Sequence, residues 1–224
     1  MSQVRICLWA VLRSVSTTFA VSMSNLEDVQ IINQPYISAL LVGPDNERTI
    51  TSRVQRNLKE TTSALATYCE ETWDSEVCCY QYINENILEA EYPGKKVVFV
   101  KDMSHAIIKQ LDMLPKGYRH AFIIRRPERV FSSIKDAHLK MNRLEDGFPN
   151  LYAFRESLLL YDHLIKTGIE AKPFIMDADD LLENPECILR QFCQFSGISY
   201  TDQLLEWKGG KQVRKCWKSS EEII

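Results

Sequence analysis

Two short segments of the chain concentrate groups that bind anions. Residues 12 to 18 read Leu12-Arg13-Ser14-Val15-Ser16-Thr17-Thr18, an arginine and four hydroxyls within seven positions. They follow an apolar run, Val4 to Trp9, that reads as a buried strand, and precede a helical stretch carrying Phe19, Val21, Met23 and Leu26. A helix start offers N–H groups without intrahelical acceptors and a dipole worth about half a charge, so it attracts anions. Arg13 adds a full charge and a donor fork suited to phosphate. Taken alone, the loop is equally compatible with a capped helix start and an incidental arginine. It lacks the glycines and lysine of a Walker A loop, so ATP or GTP hydrolysis and small-molecule kinase chemistry have no support. The second segment, Arg125-Arg126-Pro127-Glu128-Arg129-Val130-Phe131-Ser132-Ser133, follows the short apolar strand Ala121 to Ile124. Arg125 ends that strand, and Ser133 lies two turns along a helix that Pro127 opens. A small anion between strand end and helix is within reach of both, although ordinary surface arginines at a helix start fit this segment equally well.

The elements that must hold these segments alternate strand and helix. Val4 to Trp9, Val29 to Asn33, Lys96 to Val100, Ala121 to Ile124 and Pro173 to Met176 read as strands. Helical spacing appears from Ser16 or Thr17, over Ile50 to Trp73, Gln81 to Ala90, Ser104 to Leu114, Pro127 to about Arg143, Asn150 to Thr167, Asp179 to Leu182 and Pro185 to Phe195. Such alternation predicts an α/β three-layer sandwich with a central parallel sheet. Ligands of such sheets gather beyond the C-terminal strand ends, where the residues after Trp9, Val100 and Ile124 meet. The segment after Trp207 is basic and contains glycine, and reads as a loop over about 207–224.

Composition sets the outer limits. The 224 residues suit one domain, and 45% apolar content supports a real core. A formal charge of −3 argues against a general nucleic-acid binder but permits a local positive pocket. Seven cysteines, an odd number without CxxC spacing, suggest free thiols in a reducing compartment rather than a disulfide framework or zinc site. The apolar run Ile6 to Leu12 is at the short limit for a signal sequence, and no stretch approaches the ~20 residues of a membrane span. These features lead us to expect a cytoplasmic protein with no membrane or nucleic-acid partner and no metal.

Together the two anion segments resemble the signatures of the PAPS-dependent sulfotransferases, where PAPS is 3′-phosphoadenosine 5′-phosphosulfate. The first is similar to the family's 5′-phosphosulfate loop: proline, a basic residue, serine, glycine, serine or threonine, threonine. The second is similar to its 3′-phosphate motif, an arginine followed eight residues later by serine. The likeness is closer to bacterial and invertebrate sulfotransferase-like proteins than to steroid or phenol enzymes. It implies a P-loop NTPase-like fold and transfer of a sulfuryl group from PAPS to a hydroxyl or amine of a small-molecule acceptor, releasing PAP. Arg13, Ser14, Val15, Ser16, Thr17 and Thr18 would hold the 5′ side, and Arg125 and Ser133 the 3′-phosphate. The basic tail, with Lys208, Lys211 and Arg214, loosely resembles the family's nucleotide-covering RKGxxGxWK element.

An alcohol acceptor also benefits from a base, worth typically about 10²–10⁴-fold. Steroid-type relatives carry a K-x-H after the corresponding strand. Here Lys101-Asp102-Met103-Ser104-His105 follows it, making His105 the first candidate base, Asp102 the second and Lys101 a charge on the sulfate. Asp102 could instead cap the helix that starts near Ser104. Two departures stand out. Leu12 and Val15 replace the usual proline and glycine, and Val15 puts a Cβ where backbone freedom is often needed. Gln34-Pro35-Tyr36 stands where relatives often read Glu-Pro-Phe, and Gln34 cannot serve as a base. The same departures suit an alternative, a nucleotide- or phosphate-binding module without catalysis.

Overall fold

A computed structural model of the chain describes residues 3–44, 78–140, 153–206 and 217–219. Among these residues six parallel strands form one sheet: β1 (Val4–Ala10), β2 (Val29–Asn33), β3 (Val97–Met103), β4 (Arg119–Ile124), β5 (Phe174–Asp177) and β6 (Trp217–Ser219). Their spatial order is β5-β4-β1-β3-β2-β6. Among the described residues the helices in chain order are α1 (Ser16–Met23), α2 (Pro35–Val42), α3 (Tyr80–Ile83), α4 (Ser104–Ile107), α5 (Pro127–Lys140), α6 (Ala153–Thr167), α7 (Ala178–Glu183) and α8 (Pro185–Ser196).

The strands read as continuous apolar runs because both sheet faces are covered. Along β1, Ile6, Leu8 and Ala10 enter one core, while Cys7 and Trp9 enter the other. β3 divides the same way, with Val97 and Phe99 on one face and Val98 and Val100 on the opposite one. This is the period of two expected of a pleated strand. Parallel crossovers are right-handed, so the direction of travel along the sheet decides which face a helix covers. The steps β1 to β2 and β5 to β6 run one way, and α1, α7 and α8 share a core. The other three steps run back, and α2, α3, α4 and α6 share the second.

In the first core Phe19 of α1 meets Phe192 of α8 edge to face at 4.9 Å and Phe99 of β3 at 6.0 Å. Such pairs contribute roughly 0.5–1.5 kcal/mol each beyond their burial, and these clamp the helix that follows the first anion loop. In the second core Trp9, Tyr36 and Tyr80 stack in sequence, at 6.2 and 5.6 Å. Tyr36 presents its hydroxyl 2.6 Å from Asn84 Oδ1 and 2.7 Å from the Met113 carbonyl.

Several elements differ from their sequence pattern. The expected helix Gln81 to Ala90 is one α-turn followed by a π-turn over Asn84–Leu88. The expected helix Ser104 to Leu114 stops at Ile107 and is followed by a 3₁₀ turn over Leu111–Met113. Part of the basic tail, expected as loop, adds β6 beside β2, with Ile31 opposite Trp217. Apolar spacing alone could not foresee that pairing, because a three-residue strand has no periodicity of its own. The expected helix Ile50 to Trp73 lies outside the described residues.

Candidate functional site

The connection after β1 leads to one face of the sheet, and those after its neighbours β3 and β4 lead to the other. The C-terminal end of β1 is therefore a topological switch point, the usual crevice for ligands in such sheets. In register, Ala10 lies beside Met103 of β3 and Ile123 of β4. The three segments singled out by sequence thus meet along one sheet edge.

The first loop owes its shape to two left-handed residues. Arg13 has φ 59° and Val15 φ 61°, and Val15 caps α1 with its own carbonyl bonded to the Phe19 N–H at 3.0 Å. For an L-residue this conformation costs roughly 1–2 kcal/mol, and a β-branched side chain is among the least suited to it. The loop therefore keeps a glycine's geometry with a valine. Part of the cost is offset because Val15 packs on the first core. The Ser14 hydroxyl, fully buried, donates to the Val11 carbonyl at 2.8 Å and so closes the loop on itself rather than facing outward. Ser16 is buried, Thr17 and Thr18 are partly exposed, and their N–H groups open α1.

The second segment touches the first directly. Arg13 Nε donates to Ser133 Oγ at 2.9 Å, and Arg125 Nη1 donates to the Arg13 carbonyl at 3.0 Å. Residues more than a hundred positions apart thus form one basic cluster over β1 and β4. Asp179, which the sequence reading did not single out, completes it by pairing with Arg126 at 2.8 Å and Arg125 at 3.5 Å. A signal existed, since Asp179 follows β5 as Arg125 follows β4. An acidic first turn, however, reads as ordinary helix dressing.

At the end of β3, Lys101 and Asp102 are both buried, and His105 is partly buried in α4. Asp102 does not cap the helix that follows it. Its Oδ2 accepts from the Tyr36 N–H at 2.6 Å and its Oδ1 from the Met103 N–H at 2.7 Å. The carboxylate therefore caps α2, whose N-cap Gln34 is left-handed at φ 55° and makes no side-chain cap of its own. Burial raises the Asp102 pKa to about 7, against the opposing pull of those N–H groups and of the Lys101 charge. Burial lowers His105 to about 4, so its imidazole is neutral at pH 7. His120 is fully buried in β4, where its Nδ1 accepts from Trp9 Nε1 at 3.0 Å. Burial likewise lowers it to about 4. Lys208, Lys211 and Arg214 lie outside the described residues. Among the described residues no cluster of three or more metal-ligating side chains occurs.

Solved structures of similar fold include the sulfotransferase domain of the Synechococcus PCC 7002 olefin synthase, at TM-score 0.57 and 15% identity over 95% of this chain and 80% of that one. The sulfotransferase domain of the curacin biosynthetic pathway follows, at 0.55 and 17% over 96% and 80%. A sulfotransferase from Alicyclobacillus acidocaldarius aligns at 0.52 and 12% over 96% and 89%. At these identities the likeness establishes the fold. Among curated sequences, branched-chain-amino-acid aminotransferase-like protein 2 of Arabidopsis thaliana is 25% identical over 205 residues, which is 90% of this chain and 31% of that protein. Its paralogue, protein 1, is 23% identical over 204 residues, 90% of this chain and 32% of that one. The chain thus spans about a third of the length of these curated relatives. The family model described as "Sulfotransferase domain" matches residues 81–221, more than half of the chain, including the Arg125–Ser133 motif and the end of β3. The chain belongs to the sulfotransferase domain family.

Proposed function

We propose that the protein is an enzyme that transfers a sulfuryl group from PAPS to a hydroxyl or amine of a small molecule and releases PAP. The observation that carries this reading is the joining of two motifs, with Arg13 Nε on Ser133 Oγ and Arg125 on the Arg13 carbonyl. One motif resembles the binder of the donor's 5′ side and the other that of its 3′-phosphate. Their union gives a single nucleotide a reason to span both.

In the proposed reaction the acceptor oxygen or nitrogen attacks sulfur as the bond from sulfur to the bridging phosphate oxygen breaks. The electron pair of that bond leaves with PAP, and the acceptor's proton passes to a base. Positioning and charge supply most of the assistance in such in-line transfers. Arg13 neutralises the leaving phosphate, and Ser14, Val15, Ser16, Thr17 and Thr18 supply the loop and its N–H groups. Arg125 and Ser133 hold the 3′-phosphate, and Lys208, Lys211 and Arg214 cover the nucleotide. Lys101 adds positive charge on the sulfate side. His105 is the base. Its support is a neutral imidazole at pH 7, whereas both Asp102 oxygens already accept backbone N–H groups. The whole chain serves as one transferase unit, working in the cytoplasm. Free cysteines among the described residues suit a reducing compartment, and no helix there is long and apolar enough to cross a membrane.

Gln34 favours a second reading, a nucleotide-binding module without transfer, because it carries no titratable group where relatives often have a carboxylate. Radiolabelled sulfate transfer from PAPS to a panel of alcohols, phenols and amines separates the two. Turnover that Arg13→Ala lowers at least about tenfold, roughly 1.4 kcal/mol, is the expected result. Saturable PAP binding with no transfer to any acceptor supports the module instead.

A further inference from the structure

The shared carboxylate of Asp179 points to a role beyond ion pairing. Asp179 stands in the first turn of α7, directly after β5, with its side chain about a quarter exposed at 27%. Its Oδ2 accepts from Arg126 Nε at 2.8 Å, and its Oδ1 faces Arg125 Nε at 3.5 Å. Its own N–H donates to Asp177 Oδ1 at 2.7 Å, which fixes the carboxylate from the backbone side.

Arg125 is the better anchored of the two arginines. Its guanidinium is a rigid planar fork with five donors. Nε engages Asp179 and Nη1 engages the Arg13 carbonyl, so two sides of the plane are committed. The orientation of the remaining donors is thereby set without any ligand. The shorter Asp179 contact goes to Arg126, whose side chain is 60% exposed, whereas Arg125, 18% exposed, is held jointly by the longer Asp179 contact and by the Arg13 carbonyl. The carboxylate also offsets one of the three positive charges that Arg13, Arg125 and Arg126 bring together.

We propose that Asp179 is a positioning residue for 3′-phosphate recognition: it holds the Arg125 fork in one pose between β4 and β5, so that preference for a nucleotide bearing a 3′-phosphate depends on a side chain that does not itself touch the nucleotide. This rests on the donor-site reading above. A fixed donor fork favours the ligand whose phosphate matches it, because less rotamer entropy is lost on binding. A loose arginine attracts any anion about equally.

The test is calorimetric affinity for adenosine 3′,5′-bisphosphate and adenosine 5′-monophosphate, measured on wild type, Asp179→Ala, Asp179→Asn and Asp179→Glu at one pH and 0.15 M salt. Thermal melts accompany each variant. The wild type is expected to prefer the bisphosphate. Asp179→Ala is expected to cut that preference about tenfold or more, with monophosphate affinity changed less than about threefold. Asp179→Asn keeps an acceptor oxygen for Arg125 and turns its NH₂ towards Arg126, which is 60% exposed and free to swing away, so it is expected to retain the preference within about threefold, whereas Asp179→Glu, which displaces the acceptor by a methylene, lowers it. If Asp179→Ala does not fold, the contrast between Asn and Glu carries the test. A preference unchanged in both Ala and Glu overturns the inference, as does a preference that rises in Asp179→Ala, which would make the carboxylate a competitor of the phosphate. Equal loss of both ligands in a folded variant also overturns it. A wild type without any preference overturns the donor-site reading and this inference together, whereas a wild-type preference that survives the substitutions overturns the inference alone.

Discussion

Val15 and His105 carry the most distinctive chemistry of single positions. Val15 adopts a backbone conformation that suits glycine. Three effects meet in Val15→Gly: relief of roughly 1–2 kcal/mol of strain, loss of a partly buried side chain, and about 0.5–1 kcal/mol of added chain entropy. They nearly cancel, so urea denaturation is expected to place the variant within about 1 kcal/mol of wild type. A loss of several kcal/mol, as for a valine in the sheet, would contradict the strain. For His105 the expected outcome is kinetic. With its pKa lowered to about 4 by burial, the imidazole is neutral throughout the range above about pH 5. The kcat/KM of sulfate transfer is therefore expected to stay level through pH 6.5, where an ordinary histidine would titrate, and to fall only towards pH 4. An inflection near 6.5 that disappears in His105→Ala would place the functional imidazole in a more solvated setting. Residue types at these positions were legible in the sequence. Their backbone angles and burial were not, because both depend on neighbours from distant parts of the chain.

At the scale of elements, helix α2 shows how one strand completes another's helix. Gln34 is a weak cap, and the carboxylate of Asp102, supplied from β3, takes its place. Asp102→Asn keeps the size but sets an NH₂ group against one of the two N–H donors, so a loss of about 1–3 kcal/mol is expected. The loss has a defined pH dependence. The folded pKa of Asp102, raised to about 7, lies above its unfolded value, so its contribution is fully present below about pH 4 and declines as pH rises towards 7. Asparagine has no such decline. Chemical denaturation should therefore find the deficit of the variant larger at pH 5 than at pH 7. A deficit that grows with pH would mean that the carboxylate is stabilised, not penalised, by its site. The strands and long helices were readable from apolar runs and spacing. The short α2 and the cross-sheet cap were missed, because a helix of eight residues with almost no polar face has little periodicity to read.

For the whole molecule, the balance of buried titratable groups sets the response to acid. His105 and His120 have folded pKa values of about 4, below the unfolded value, so their contribution is present above pH 6.5 and is lost as pH falls. For His120 burial is the main cause, and a charged imidazole would also lose its place as acceptor of the Trp9 N–H. Asp102 acts in the opposite sense over much the same range. Between about pH 4.5 and 6.5 unfolding takes up two protons at the histidines and releases one at Asp102. From these groups stability should fall by about 1 kcal/mol per pH unit of acidification. Urea midpoints at intervals across that range test the slope, and a flat profile would contradict it. The sequence by itself determined the alternation of strand and helix, hence the parallel sheet, and the order of the two anion-binding motifs, because both are carried by local runs and spacings. Tertiary structure alone decided that Arg13 meets Ser133, that Asp179 clamps Arg125, and that Asp102 serves a helix other than its own. Each of those contacts joins residues set far apart in the chain, and only the strand order β4-β1-β3 with its neighbours brings them within hydrogen-bond range.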